Sequence, residues 1–168
     1  MTLPSRSTQG DCRAKRLWLT GALAGLAGGA AEVAWIVLYG HVLGADAAAV
    51  AQGVTRSFFA GPSAAALAVP LGVAIHMSLA IAIGVAIAVL LSRLCPRVCR
   101  RAFEPIVVVG LLVAIWTVNF FLVLPAINPA FVDLVPYEAS LTSKVLFGVA
   151  AAVVLQVRSQ SIPAIEQA

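Results

Sequence analysis

The chain has 168 residues, 61% of them hydrophobic and 11% charged, with a mean hydropathy of +1.01. That balance leaves too little polar surface to coat a water-soluble globule. The formal net charge of +4 comes from eleven Lys and Arg against seven Asp and Glu and gathers into no compact basic face, which excludes nucleic acid as a partner and leaves the lipid bilayer.

A hydrocarbon core of about 30 Å takes roughly 20 helical residues to cross. Four apolar blocks reach that length, at residues 17–42, 64–92, 104–125 and 140–158. They are continuously apolar and do not alternate as barrel strands do. The expected fold is therefore all-α, a polytopic four-helix transmembrane bundle forming a single domain over 1–168.

Span one begins after Arg13, Lys15 and Arg16. This basic start and the small residues at 28–31 have the look of a secretory signal, but Val33, Trp35, Ile36, Val37 and Leu38 carry the apolar pattern on to spanning length, so the helix is read as retained. At 100° per residue, Gly21, Gly25, Gly28, Glu32, Trp35 and Tyr39 share one stripe. Small faces let helices approach closely, within a chain or between copies. The Gly21, Gly25 and Gly29 surface is thus expected to pack helices and to support self-association.

In residues 45–59, Val50, Val54 and Phe58 recur every fourth position while Gln52 and Arg56 take another face, which predicts a short amphipathic helix on the outer membrane surface. Pro62 and Ser63 break it and cap the next helix, and Pro70 marks a kink or the first turn of span two. Span two repeats the small-face device with Gly72, His76 and Ala80. Span three carries Asn119, and beyond it Pro125, Pro129 and Pro136 predict a stiff, ordered crossing. Span four opens on Ser140, Thr142 and Ser143, which read as a wet helix start, and then aligns Lys144, Gly148 and Ala152.

Lys and Arg accumulate on the cytoplasmic side of membranes. Arg6, Arg13, Lys15, Arg16, Arg93, Arg97, Arg100, Arg101 and Arg158 fall on one side and only Arg56 and Lys144 toward the other, so both termini are expected in the cytoplasm. Spans centred in the bilayer then put Glu32, His76 and Asn119 about 5 Å outward of the midplane and Lys144 about 7 Å, a single polar layer. An ionised group alone in hydrocarbon costs at least ~2.5 kcal/mol. Glu32 is therefore expected to pair with Lys144, with His76 and Asn119 completing the group.

Three uses of that layer are open. It can carry proton- or ion-linked transport, or serve as interhelical glue in an accessory or assembly subunit. It can also hold a haem or quinone, with His41 and His76 as candidate ligands at unequal heights. Cys95 and Cys99 are further metal candidates, although their Cys-x₃-Cys spacing differs from the compact Cys-x₂-Cys of common zinc and thiol-redox sites, and reduced thiols are expected there. No phosphate loop, nucleophile elbow or zinc-protease pattern is present in the sequence, so a non-enzymatic protein without a cofactor is the expectation.

The stretch Gly72-Val73-Ala74-Ile75-His76 running to Cys95-Pro96, then Gly110-Leu111-Leu112 and the exit from Pro125 to Pro129, resembles the YagU-type four-helix inner-membrane proteins. The resemblance covers spans two and three. It implies a small multi-pass protein of the bacterial inner cell membrane and supplies no catalytic residues. The expected function is a small non-enzymatic membrane protein, homo-oligomeric or part of a larger membrane complex, with a transport role centred on Glu32.

Overall fold

Four long helices account for the apolar blocks in the computed structural model, which describes residues 6–59, 66–94 and 104–160, with side chains at 15–59, 66–93 and 104–158. In chain order the elements are α1 (Arg6–Leu43), the short α2 (Ala47–Phe58), α3 (Ala68–Leu94) and α4 (Glu104–Val118). A π turn (Asn119–Val123), the short α5 (Leu124–Ile127) and α6 (Pro129–Leu134), and the long α7 (Tyr137–Gln160) follow. The stretches Lys15–Leu43, Ala68–Arg93, Glu104–Ile127 and Tyr137–Arg158 are long and apolar enough to cross a membrane. This is the architecture of a multi-pass membrane protein, all-helical among the described residues.

Helix ends differ from hydropathy ends. Hydropathy marks a membrane's thickness, whereas backbone hydrogen bonding continues into polar sequence, so α1 starts at Arg6 and not at 17, and α7 starts at Tyr137 and not at 140. α1 stops at Gly44, whose φ of 75° lets its N–H reach the Gly40 carbonyl at 2.9 Å. Asp46 then caps α2, its Oδ1 accepting from the Ala48 and Ala49 amides. Pro70 lies in the first turn of α3, where a missing N–H costs nothing. Pro62 and Ser63 fall outside the described residues.

Small residues set the helix pairing. A Cβ on Gly21 would meet Val85 Cα at 2.6 Å, and one on Gly25 would meet Ile81 Cα at 2.7 Å. A Cβ on Gly29 would meet the Ala80 methyl at 2.7 Å, so α1 and α3 run antiparallel almost backbone to backbone. The Gly21, Gly25 and Gly29 surface expected to join copies is therefore consumed inside the chain, because α3 supplies the matching Ala80 and Gly84. Gly28 lies under the Phe147 ring of α7, and Gly148 takes Val109 of α4. These contacts run α7 antiparallel to both α1 and α4, so Lys15, Arg16, Arg93, Glu104 and Arg158 share one end. The core between the four helices includes Ala24, Ile87, Val108, Leu112, Phe147 and Leu155.

α2 closes the other end against α3 and α6. Its buried face is Gly53 and Thr55, while Phe58, of the apolar stripe expected along the membrane surface, is 55% exposed. α2 and α3 again approach closely: Gly72 of α3 has the Ala51 carbonyl against it and Thr55 Oγ1 3.0 Å from its Cβ position. Thr55 donates its hydroxyl to the Ala68 carbonyl. Thr55→Val is expected to cost about 1 kcal/mol and to speed hydrogen exchange across α2 while leaving the α1 core amides unchanged.

The proline-rich crossing is helical apart from short breaks at Asn128 and at residues 135–136. Pro125 has no N–H for the preceding turn, and the ladder widens ahead of it: the Leu124 N–H donates to the Asn119 carbonyl, five residues back. Asn128 Nδ2 ties the crossing to α2, donating to the Gly53 carbonyl at 3.2 Å and to Ser57 Oγ at 2.9 Å. Phe131 packs over Gly53, and Trp116, Phe120, Phe121 and Tyr137 form a ring cluster beside it.

Candidate functional site

Glu32 lies on the small face of α1, one turn beyond Gly28, and that stripe brings it between α3 and α7. It is 3% exposed. From α7, Lys144 Nζ reaches Glu32 Oε1 at 2.6 Å, and the Ser143 hydroxyl approaches the same oxygen at 3.0 Å. From α3, His76 Nε2 stands 3.6 Å from Glu32 Oε2. This gap is too long for a hydrogen bond, and Nε2 is buried with no hydrogen-bond partner among the described residues. The Lys144 ammonium also lies 6.0 Å from the centre of the Phe147 ring, the ring that covers Gly28.

The two carboxylate oxygens are therefore unequal. Oε1 is engaged by a cation and a hydroxyl, while among the described residues Oε2 faces only the imidazole. Ser143 is shared as well: its single proton has a choice between Glu32 Oε1 at 3.0 Å and the Ser140 carbonyl at 2.7 Å. An ionised Glu32 draws that proton toward itself. A protonated one can donate to Ser143 Oγ, turning the Ser143 proton to Ser140.

Two indole groups brace the start of α7 at this level. Trp35 Nε1 of α1 donates to the Ala139 carbonyl at 3.0 Å, and Trp116 Nε1 of α4 donates to Ser140 Oγ at 2.9 Å. Both bonds cross between helices and hold the turn from which Ser143 and Lys144 project. Trp116→Phe keeps the stacked ring contact with Phe120 but loses the bond to Ser140. It is expected to lower unfolding stability in detergent by about 1 kcal/mol.

Of the four residues expected to form one layer, the structure brings together Glu32, His76 and Lys144. Asn119 is half-buried and makes no side-chain hydrogen bond among the described residues; its carbonyl closes the π turn. α4 packs on α7 and reaches the group through Trp116, one turn earlier, because rotation about the helix axis and not height alone decides which side chain faces inward. Ser143, Ser140, Trp35 and Trp116 were not singled out as site residues from sequence. Gly21, Gly25, Gly28, Gly29, Gly72 and Gly148 all lie at close helix contacts.

His41 is exposed at the far end of α1, away from this group. Cys95 and Cys99 lie outside the described residues. Among the described residues no set of three or more His, Cys, Asp or Glu side chains is placed to hold a metal ion.

Comparison of the chain with known protein families, with curated proteins and with solved structures yields no match.

Proposed function

We propose that this chain is a small non-enzymatic protein of the bacterial inner membrane, with cytoplasmic termini, in which the Glu32, His76 and Lys144 group carries proton-linked transport. The setting rests on the resemblance to YagU-type proteins and on the shared basic end. The observation that carries the transport reading is the idle imidazole nitrogen: His76 Nε2, buried and unbonded, 3.6 Å from the one carboxylate oxygen left open. A proton on Nε2 lets the imidazolium donate a charge-assisted N–H···O bond to Oε2, and a proton on Oε2 lets the carboxyl donate an O–H···N bond to Nε2. Imidazole is the side chain suited to gaining and losing a proton near neutral pH. Intramembrane charges of this kind mark proton and ion pathways. Ser143, with one proton and two acceptors, gives the group a way to register the protonation of Glu32 on α7.

The test is proton flux in liposomes containing the purified protein and an internal pH dye. Glu32→Gln preserves shape and removes the titratable charge; flux is expected to fall to the level of empty liposomes while the chain still assembles. Unchanged flux in that variant, or no flux above background from the unmodified protein, overturns the reading.

A second reading is an accessory or assembly subunit whose polar group only holds helices together. It is favoured by the Trp35 and Trp116 bonds, which perform that task at the same level without titrating. Under this reading Glu32→Gln loses a copurifying partner or an oligomer and changes no flux.

A further inference from the structure

α1 and α3 leave an open groove on their outward side, toward the end that carries Lys15, Arg16 and Arg93. It encloses about 1080 Å³ and is lined by Trp18 and Ala22 of α1 and by Ala82, Ala86, Leu90 and Arg93 of α3, among others. The groove exists because Ala22, Ala82 and Ala86 are too short to fill the space between helix ridges. It runs from Arg93 to Ser78, about 22 Å at 1.5 Å per residue. One leaflet of a roughly 30 Å core is about 15 Å deep, so the groove can take an acyl chain along its whole length.

Charge is confined to one end. Arg93 lines the mouth and makes no ion pair among the described residues. The antiparallel register, in which Gly21 lies against Val85 and Gly25 against Ile81, continues to place Arg93 level with position 13 of α1, within one helical turn of Lys15 and Arg16, both exposed. Trp18, 59% exposed, stands one turn inside that collar, where an indole suits the headgroup boundary. A cationic rim opening onto an apolar slot between transmembrane helices is complementary to a single molecule with a phosphate at one end and hydrocarbon behind it.

We infer that this groove is a binding site for one anionic phospholipid, its phosphate on Arg93 beside Lys15 and Arg16 and an acyl chain laid over Ala86 and Ala82. The occupant is a lipid and not a second copy of the chain, because an apolar helix packed in the slot brings no anion to the cationic rim whereas a phospholipid places its phosphate there.

The site is tested by incorporating the full chain into bilayer discs of phosphatidylcholine with a minor share of phosphatidylglycerol, and counting retained lipids by native mass spectrometry. One phosphatidylglycerol per chain is expected, enriched over its share of the bilayer. Arg93→Gln lowers that enrichment about fivefold, the ratio that one surface cation supplies on an anionic leaflet. Ala86→Phe, at an exposed position clear of the core, fills the slot and abolishes retention of both lipids, while Arg158→Gln at the same end of the bundle changes neither. No enrichment in the unmodified chain, equal retention in Ala86→Phe, or a dimer that survives with the groove covered and no lipid bound overturns the assignment.

Discussion

Lys144→Met is expected to destabilise the bundle by about 3 to 5 kcal/mol, the usual cost of removing one partner from a buried ion pair. Glu32 is almost wholly buried, and Lys144 Nζ at 2.6 Å is the only full-time cation against it among the described residues. Without that ammonium the carboxylate keeps one hydroxyl, from Ser143, and a distant imidazole. The large effect therefore comes from the charge left behind and not from the lost attraction, which gives a sharp control: Glu32→Gln with Lys144→Met leaves no buried charge and recovers most of the loss. Reversible unfolding in mixed micelles measures both variants. A single Lys144→Met variant as stable as the unmodified protein shows that Glu32 does not depend on its partner and refutes the pairing as a stabilising element.

Gly84→Val is expected to separate α1 from α3 and to abolish any function that needs His76 beside Glu32. A Cβ at this position meets the Gly21 carbonyl and the Gly25 amide, with Gly25 Cα at 2.5 Å. All of these are backbone atoms, so no flexible side chain can give way, and the whole of one helix must move. Overpacking of that kind costs about 1 to 3 kcal/mol, and more when rigid backbone is the obstacle. Gly110→Val on α4 is the matched control, since a Cβ there meets nothing within 4 Å. Cysteines introduced on facing positions of α1 and α3 report the spacing by cross-linking yield. Equal yields in both variants contradict the packing described.

The position of Glu32 was legible in the sequence because a helix has one fixed angular step: 100° per residue places the carboxylate on the same stripe as Gly25 and Gly28 without any knowledge of neighbours. The same rule located His76 and Lys144 on small faces. It could not say which small face meets which, and the expectation that Gly21, Gly25 and Gly29 join copies gave way to Ala80 and Gly84 filling that surface from within. Asn119 shows the other limit. Depth in the bilayer made it a member of the layer, but α4 presents Trp116 to α7, and the asparagine spends its carbonyl on a π turn imposed ahead of Pro125. Ser143 was hidden because a serine near a helix start reads as a solvated cap; only the arrival of α1 makes it a ligand of Glu32.

Composition and hydropathy thus sufficed for the solvent, the number of spans and the helical class, since the cost of bare backbone groups in lipid leaves a long apolar run no structure but a helix. The partners of each helix, the inequality of the two Glu32 oxygens and the groove beside Arg93 were decided by tertiary structure alone. They depend on matched surfaces from stretches far apart in the chain, and the fit of one such surface to another is a property of both at once.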